Sequence, residues 1–239
     1  MTPSLSPAYV LHSRPYRDSS ALVDLLTLHH GLQRVVWRGA RGQRRKVSPQ
    51  PFMPLLVGLG GRSELKTLTQ AEIAGRFSLL QGETLFSGLY LNELLVRLLV
   101  GGEPQPILFA AYQQSLEQLA AGDPVEPILR RFEWQLLELL GYGFSLTEDA
   151  HGQPLDRHRD YAWYAGEGLR PLHDPLSGAI GLSGAALLAM AAGDWSAPAT
   201  LRAAKQLMRQ ALSVHLGDRP LVSRSLFRRQ TPSIKGEQQ

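Results

Sequence analysis

The sequence predicts a mixed α+β chain, a small five-stranded β-barrel followed by an α-helical domain. Three observations predict it. Five short strand-like runs punctuated by Gly and Pro fill roughly the first 75 residues. Beyond Leu80 the apolar residues recur at helical spacing. The longest interruption of the strand region carries six basic residues between Arg34 and Lys46 and no acidic one.

The strand candidates are Ala8–Arg14, Ser20–Leu28, Leu32–Arg38, Phe52–Leu59 and Leu65–Ile73. His30-Gly31 marks the turn before the third, and Gly60-Gly61 makes the hairpin between the last two. Gly39, Gly42, Pro49 and Pro51 make the segment between the third and fourth a loop. Five short strands suit a small barrel. The OB fold is the commonest of that size, and an SH3-like barrel fits the strand count nearly as well. Helices follow at Leu85–Val100, Ile107–Ala121 and Val125–Leu140, stopped by Gly101-Gly102, Gly122 and Gly141. Their short connections imply an antiparallel bundle. Residues from Phe144 to Gly181 are irregular, with a small hairpin from Tyr161–Tyr164 and Leu169–Leu172. Ser183–Ala192 and Ala199–Leu216 return to helix, with Ser183 and Thr200 as N-terminal caps. The expected domains are therefore 1–80, the barrel, and 81–239, the helical domain with an irregular insertion at about 144–181.

Composition narrows the chemistry. Cysteine is absent, which excludes disulfides, thiolate nucleophiles and Cys-ligated zinc. The first residues lack a basic segment followed by an apolar one, so a cytoplasmic protein is expected rather than a secreted one. No GxxxxGK[ST], GxGxxG or GxSxG motif occurs, nor an HExxH or HxxxH spacing. His29-His30 falls at a turn, and His151, His158 and His173 lie among Glu148, Asp149, Asp156 and Asp160 as solvated loop residues. No cofactor and no metal are expected, and the chain reads as a binding module rather than an enzyme.

The basic run decides the kind of partner. Arg34, Arg38, Arg41, Arg44, Arg45 and Lys46 lie in or beside one loop, with no carboxylate close in sequence to neutralise them. Guanidinium groups grip phosphate with paired N–H donors and stack on bases. Loops leaving OB strands are where such barrels meet single strands. Trp37 sits in the run, and strand alternation assigns it to the core rather than to a base. His12 and Arg14 either extend the same surface from the first strand or are ordinary polar residues of a strand edge. Arg130-Arg131 beside Phe132 and Trp134 offers a receptor for an acidic peptide ending in an apolar residue, against a plain reading as solvated arginines. Arg202, Lys205 and Arg209 form a basic stripe, and Arg219, Arg224, Arg228 and Arg229 a second basic cluster. An RNA-binding OB protein of translation is the alternative, and a nuclease or deaminase-like hydrolase the enzymatic one.

The chain resembles the bacterial recombination mediator and DNA repair family RecO along nearly its whole length. The likeness is carried by Ala8–Tyr16, His30-Gly31, Arg38-Gly39-Ala40-Arg41, Gln50-Pro51-Phe52, Leu65-Lys66-Thr67-Leu68 and Gly88–Leu94. It continues through Leu129-Arg130-Arg131-Phe132-Glu133, Leu140-Gly141-Tyr142-Gly143 and Ser223-Arg224-Ser225-Leu226-Phe227. The resemblance implies an N-terminal OB domain, a helical domain and a small insertion. It implies binding of single- and double-stranded DNA, annealing of complementary strands, and help in loading recombinase onto DNA coated by single-strand-binding protein. RecR and the acidic C-terminal tail of single-strand-binding protein are the implied partners; no membrane and no small-molecule substrate are implied. Arg14 and Lys66 then join the basic run as the implied DNA surface, and Arg130 and Arg202 become the implied tail contacts. Many members hold zinc in the insertion through Cys-rich ligands; Thr147–Gly152 offers none, so here the insertion must cohere by packing.

Overall fold

The computed structural model describes residues 5–42, 48–63, 65–75, 79–173 and 178–228. The chain forms two compact units, Met1–Asp123 with Pro220–Gln239, and Pro124–Arg219.

The first unit is built on five strands, β1 (Ser6–Tyr16), β2 (Ser20–Thr27), β3 (Gly31–Trp37), β4 (Pro54–Gly60) and β5 (Lys66–Ile73). They close into a barrel in the order β1-β2-β3-β5-β4. Every pairing is antiparallel except the short parallel contact of β3 with β5. That order, with its one parallel closure, is the OB fold and resolves the choice against an SH3-like barrel. The interior is filled by alternate residues of each strand, among them Val10, Val23, Leu25, Val35, Leu55, Val57 and Leu68. Trp37 is 1% exposed in this core, so it is a packing residue and not a stacking platform.

Two helices cover the outer side of β1. These are α1 (Gly82–Leu98) and α2 (Pro106–Ala121). Tyr9 packs on Phe109 and Tyr112, with ring centroids 5.4 and 5.3 Å away. Two buried polar side chains are matched to each other and to the barrel: Asn92 Nδ2 donates to the Leu11 carbonyl at 2.8 Å, and the Tyr112 hydroxyl donates to Asn92 Oδ1 at 2.6 Å. The C-terminal helix α6 (Ser223–Arg228) returns to α1. There the Glu93 carboxylate accepts the backbone N–H groups of Val222 and Ser223 and the Ser223 hydroxyl, at 2.8, 2.8 and 2.6 Å. A carboxylate at a helix N-terminus satisfies orphan donors and complements the helix dipole.

The second unit contains α3 (Val125–Leu139), the strands β6 (Asp160–Tyr164), β7 (Gly168–Pro171) and β8 (Leu182–Ser183), and the helices α4 (Gly184–Ala191) and α5 (Pro198–Leu216). The expected bundle of the first three helices is corrected here. Helices α1 and α2 belong with the barrel, whereas α3 packs against α5. Spacing along the chain reveals each apolar stripe but not which partner covers it. Thr200 is not a cap; it is buried within α5, whose N-cap is Ala197 followed by Pro198. Ser183 does hold the cap position of α4, but its hydroxyl makes no capping bond.

The hairpin of the insertion forms as β6 and β7, and β8 adds a third strand unforeseen from sequence. Polar side chains tie the segment's turns. Ser145 Oγ accepts from Thr147 and Glu148 N–H, Asp149 Oδ1 from His151 and Gln153 N–H, and Asp156 Oδ1 from His158 N–H. Phe144 lies between Trp134 and Trp163, at 5.2 and 5.4 Å. Among the described residues no three His, Cys, Asp or Glu group as metal ligands, and no helix is long and apolar enough to cross a membrane.

Candidate nucleic-acid interface

A bulge in β1 sets the aim of its second half. Before it, Ala8 and Val10 point into the barrel. The register shifts between Val10 and His12, and beyond it Ser13 lies opposite the core residue Val23. Side chains alternate, so His12 and Arg14 face outward. On β3 the inward residues are Val35 and Trp37, which turns Arg34 outward and puts Arg38 at the strand's end. Cross-strand register aligns His12, Asp24 and Arg34 in one row over β1, β2 and β3, and Arg14, Leu22 and Val36 in the next.

The β1–β2 turn closes the basic end of this face. Arg41 donates its backbone N–H to the Ser19 carbonyl at 3.0 Å, tying the β3–β4 loop to that turn. Arg14, Arg38 and Arg41 are exposed there. Arg17 joins them, its guanidinium 5.2 Å from the Tyr16 ring centroid. Sequence reasoning passed over Arg17 because the basic run starts seventeen residues later; its position in the turn between the first two strands was the available signal. Lys66 sits beside Val35 across the parallel contact, half-buried, and donates its Nζ to the Gly61 carbonyl at 3.3 Å. Arg44, Arg45 and Lys46 lie outside the described residues.

One expectation fails on this face. The basic run does have a carboxylate beside it. Asp24 is ten residues upstream of Arg34 yet its direct cross-strand neighbour. Arg34 Nε donates to Asp24 Oδ1 at 2.7 Å, and His12 Nδ1 stands 3.8 Å from Asp24 Oδ2. The Asp24 side chain is 10% exposed against 54% for Arg34, so the acid lies beneath the arginine. Burial pushes the Asp24 carboxyl up, but the neighbouring His12 and the Arg34 hydrogen bond and charge outweigh it and hold the carboxyl below its ordinary value. A carboxyl lowered in the folded state adds stability that is complete above its unfolded value, about pH 4, and is lost as pH falls through the folded value. Acid titration of unfolding is therefore expected to be shallower in that range for Asp24→Asn than for the parent chain.

The second unit offers different chemistry. Arg130 is 6% exposed and pairs with Glu133, itself 0% exposed, at 2.8 Å. The plain reading of Arg130 as a solvated helix arginine is thus corrected: its charge is neutralised within the unit. Arg202 is exposed on α5, while neighbouring Lys205 is engaged by Glu126 at 3.1 Å. A cavity of about 450 Å³ is walled by Tyr142, Phe144, Trp163 and His215 with Glu148 and Asp149, and no Lys or Arg among the described residues lines it. Burial holds the His215 imidazole below its usual value.

With the barrel and its basic face in view, comparison with known proteins is decisive. The family model for Recombination protein O, N terminal, matches residues 1–77, and that for Recombination protein O, C terminal, matches residues 79–225. The chain belongs to the Recombination protein O family. It is similar to proteins named DNA repair protein RecO. That of Pseudomonas paraeruginosa is 54% identical over 226 residues, covering 94% of this chain and 95% of the relative. That of Stutzerimonas stutzeri is 53% identical over 221 residues, 92% of each. That of Pseudomonas putida strain W619 is 52% identical over 223 residues, 93% and 96%. The RecO models divide at 77/79, close to the end of the barrel strands, whereas the compact units divide after Asp123 because α1 and α2 pack with the barrel.

Proposed function

We propose that this RecO-family chain is a non-catalytic DNA repair protein of the cytoplasm that binds single- and double-stranded DNA, anneals complementary strands and assists recombinase loading. The observation that carries the reading is the alignment of Arg14, Arg34, Arg38 and Arg41 on one barrel face and its end loops. Annealing requires no bond chemistry. Two polyanionic strands repel each other, and a cationic face lowers that repulsion while releasing counterions. The bases must stay free to pair, so phosphate contacts should dominate over base contacts. Four neutralised phosphates give a log-affinity slope of roughly −3 against log salt for single strands. Arg44, Arg45, Lys46 and Lys66 complete the proposed surface.

The proposed partners are RecR and the acidic tail of single-strand-binding protein, which would raise the local concentration of the chain on coated DNA. Arg202 is an exposed cation that could meet the tail's carboxylates. Arg130 joins it only by exchanging its ion pair with Glu133. The test is annealing of complementary fluorescent strands coated with single-strand-binding protein. The parent chain is expected to accelerate it. Arg202→Ala is expected to slow coated strands by roughly tenfold, the worth of one charge-assisted contact, and to leave bare strands unaffected. No acceleration by the parent chain would remove annealing from the reading. Equal slowing of bare and coated strands would move the tail site elsewhere.

A further inference from the structure

An acidic residue in the middle of a phosphate-binding face ought to weaken binding, since it repels the ligand and cancels a neighbouring cation. Asp24 is placed so that it does something else. Its carboxylate is almost covered, and it takes the Arg34 Nε–H at 2.7 Å from below. A guanidinium carries five N–H donors in a planar fork. The Nε–H is used by Asp24, and the Nη groups have no protein partner among the described residues. Bonding at Nε fixes the plane of the fork and leaves its Nη groups for an oxyanion.

We infer that Asp24 is a positioning residue of the DNA face, holding Arg34 in the orientation in which it receives a phosphate. The inference rests on the proposed DNA reading and adds a role within it. An unrestrained arginine gives up most of its rotamer freedom when it grips a phosphate; one already tethered gives up less. The tether is anchored on both sides. Asp24 is in the central strand of the β1–β2–β3 row, and its second oxygen faces His12 on β1. The strand that carries the arginine and the strand that carries the acid are therefore fixed by seven consecutive register pairs, from Ala21↔Trp37 to Thr27↔Gly31.

The sign of the effect separates positioning from plain electrostatics. Single-stranded DNA affinity would be measured by fluorescence anisotropy, at several salt concentrations, for the parent chain, Asp24→Ala, Asp24→Asn, Arg34→Ala and Asp24→Ala/Arg34→Ala. Thermal unfolding of each protein would verify folding. If Asp24 positions Arg34, Asp24→Ala weakens binding by about threefold to tenfold although it removes a negative charge, with Asp24→Asn, which keeps a weaker neutral acceptor, in between. The double variant binds no worse than Arg34→Ala, because the acid acts only through the arginine. Arg34→Lys keeps the charge without the fork; it is expected to weaken the parent chain by a similar factor and to change Asp24→Ala little. The arm in the parent chain needs no change at Asp24 and stands even if the alanine variant misfolds. Tighter binding by Asp24→Ala or Asp24→Asn, with Arg34→Ala weaker than the parent, overturns positioning and leaves the DNA face intact. Unchanged affinity in Arg34→Ala removes Arg34 from the DNA face, and the inference falls with it.

Discussion

Changing Arg14, Arg38 and Arg41 together to alanine is expected to lower affinity for single-stranded DNA by about a hundredfold at 0.1 M monovalent salt. The magnitude follows from counterion release. Each phosphate contact on a single strand contributes a slope of roughly −0.7, which at 0.1 M relative to 1 M is worth about a factor of five. Three such contacts multiply to about a hundred, and the salt slope should become shallower by about two. All three side chains are exposed, so the substitutions leave the barrel interior untouched. The matching control changes Arg157, Arg209 and Arg219, three exposed arginines of the second unit, and removes the same net charge. It is expected to leave the slope unchanged. Equal losses in both triple variants would mean that the chain attracts DNA through its overall charge and not through the barrel face.

Much of that face was legible in the sequence. The five strands were visible because each alternates and each is bounded by Gly, Pro or a turn pair. Trp37 was correctly assigned to the core from alternation alone, since Val35 two residues earlier marks the inward phase. What escaped was everything that depends on register. Asp24 and Arg34 are ten residues apart, and only the β2–β3 pairing makes them neighbours. The bulge after Val10 inverts the phase of β1, and no turn residue or composition shift announces it. The pairing of Arg130 with Glu133 is a local i, i+3 spacing, readable in principle, but its burial is set by the packing of α3 in the second unit. Likewise the apolar stripes of α1, α2 and α3 were visible, while their division between two units rests on contacts distant in sequence. Propensity and period report an element; they carry no information on its partner.

The same dependence on register gives the second large effect. Gly31→Ala is expected to destabilise the first unit by about 3 kcal/mol or more, within the range reserved for backbone strain and steric conflict. Gly31 opens β3 directly after the His29-His30 turn, where Thr27 Oγ1 accepts the His30 N–H at 3.1 Å and donates to the Gly31 carbonyl at 2.9 Å. Its φ is +63°, and a Cβ built on it would overlap the backbone carbonyl of Glu103. A flexible side chain could swing away from such a conflict; a carbonyl in a bridged loop cannot, since Gly102 N–H is bonded to the Leu32 carbonyl at 3.1 Å. Gly102 supplies the comparison. Its φ is +93°, yet an added Cβ there meets nothing within 4 Å. Gly102→Ala should therefore cost only the conformational strain, about 1 kcal/mol. Chemical denaturation of both variants separates strain from collision, and the difference between them measures the collision. The collision also bears on DNA. Relieving it requires β3 to shift against β2, and Thr27↔Gly31 is the end of the register that sets Arg34 over Asp24. Gly31→Ala is thus expected to weaken DNA binding under conditions where it is still folded, whereas Gly102→Ala is expected to bind as the parent does. Equal unfolding midpoints for the two alanine variants would mean that the Glu103 loop yields freely and that the turn, not the contact, holds the register.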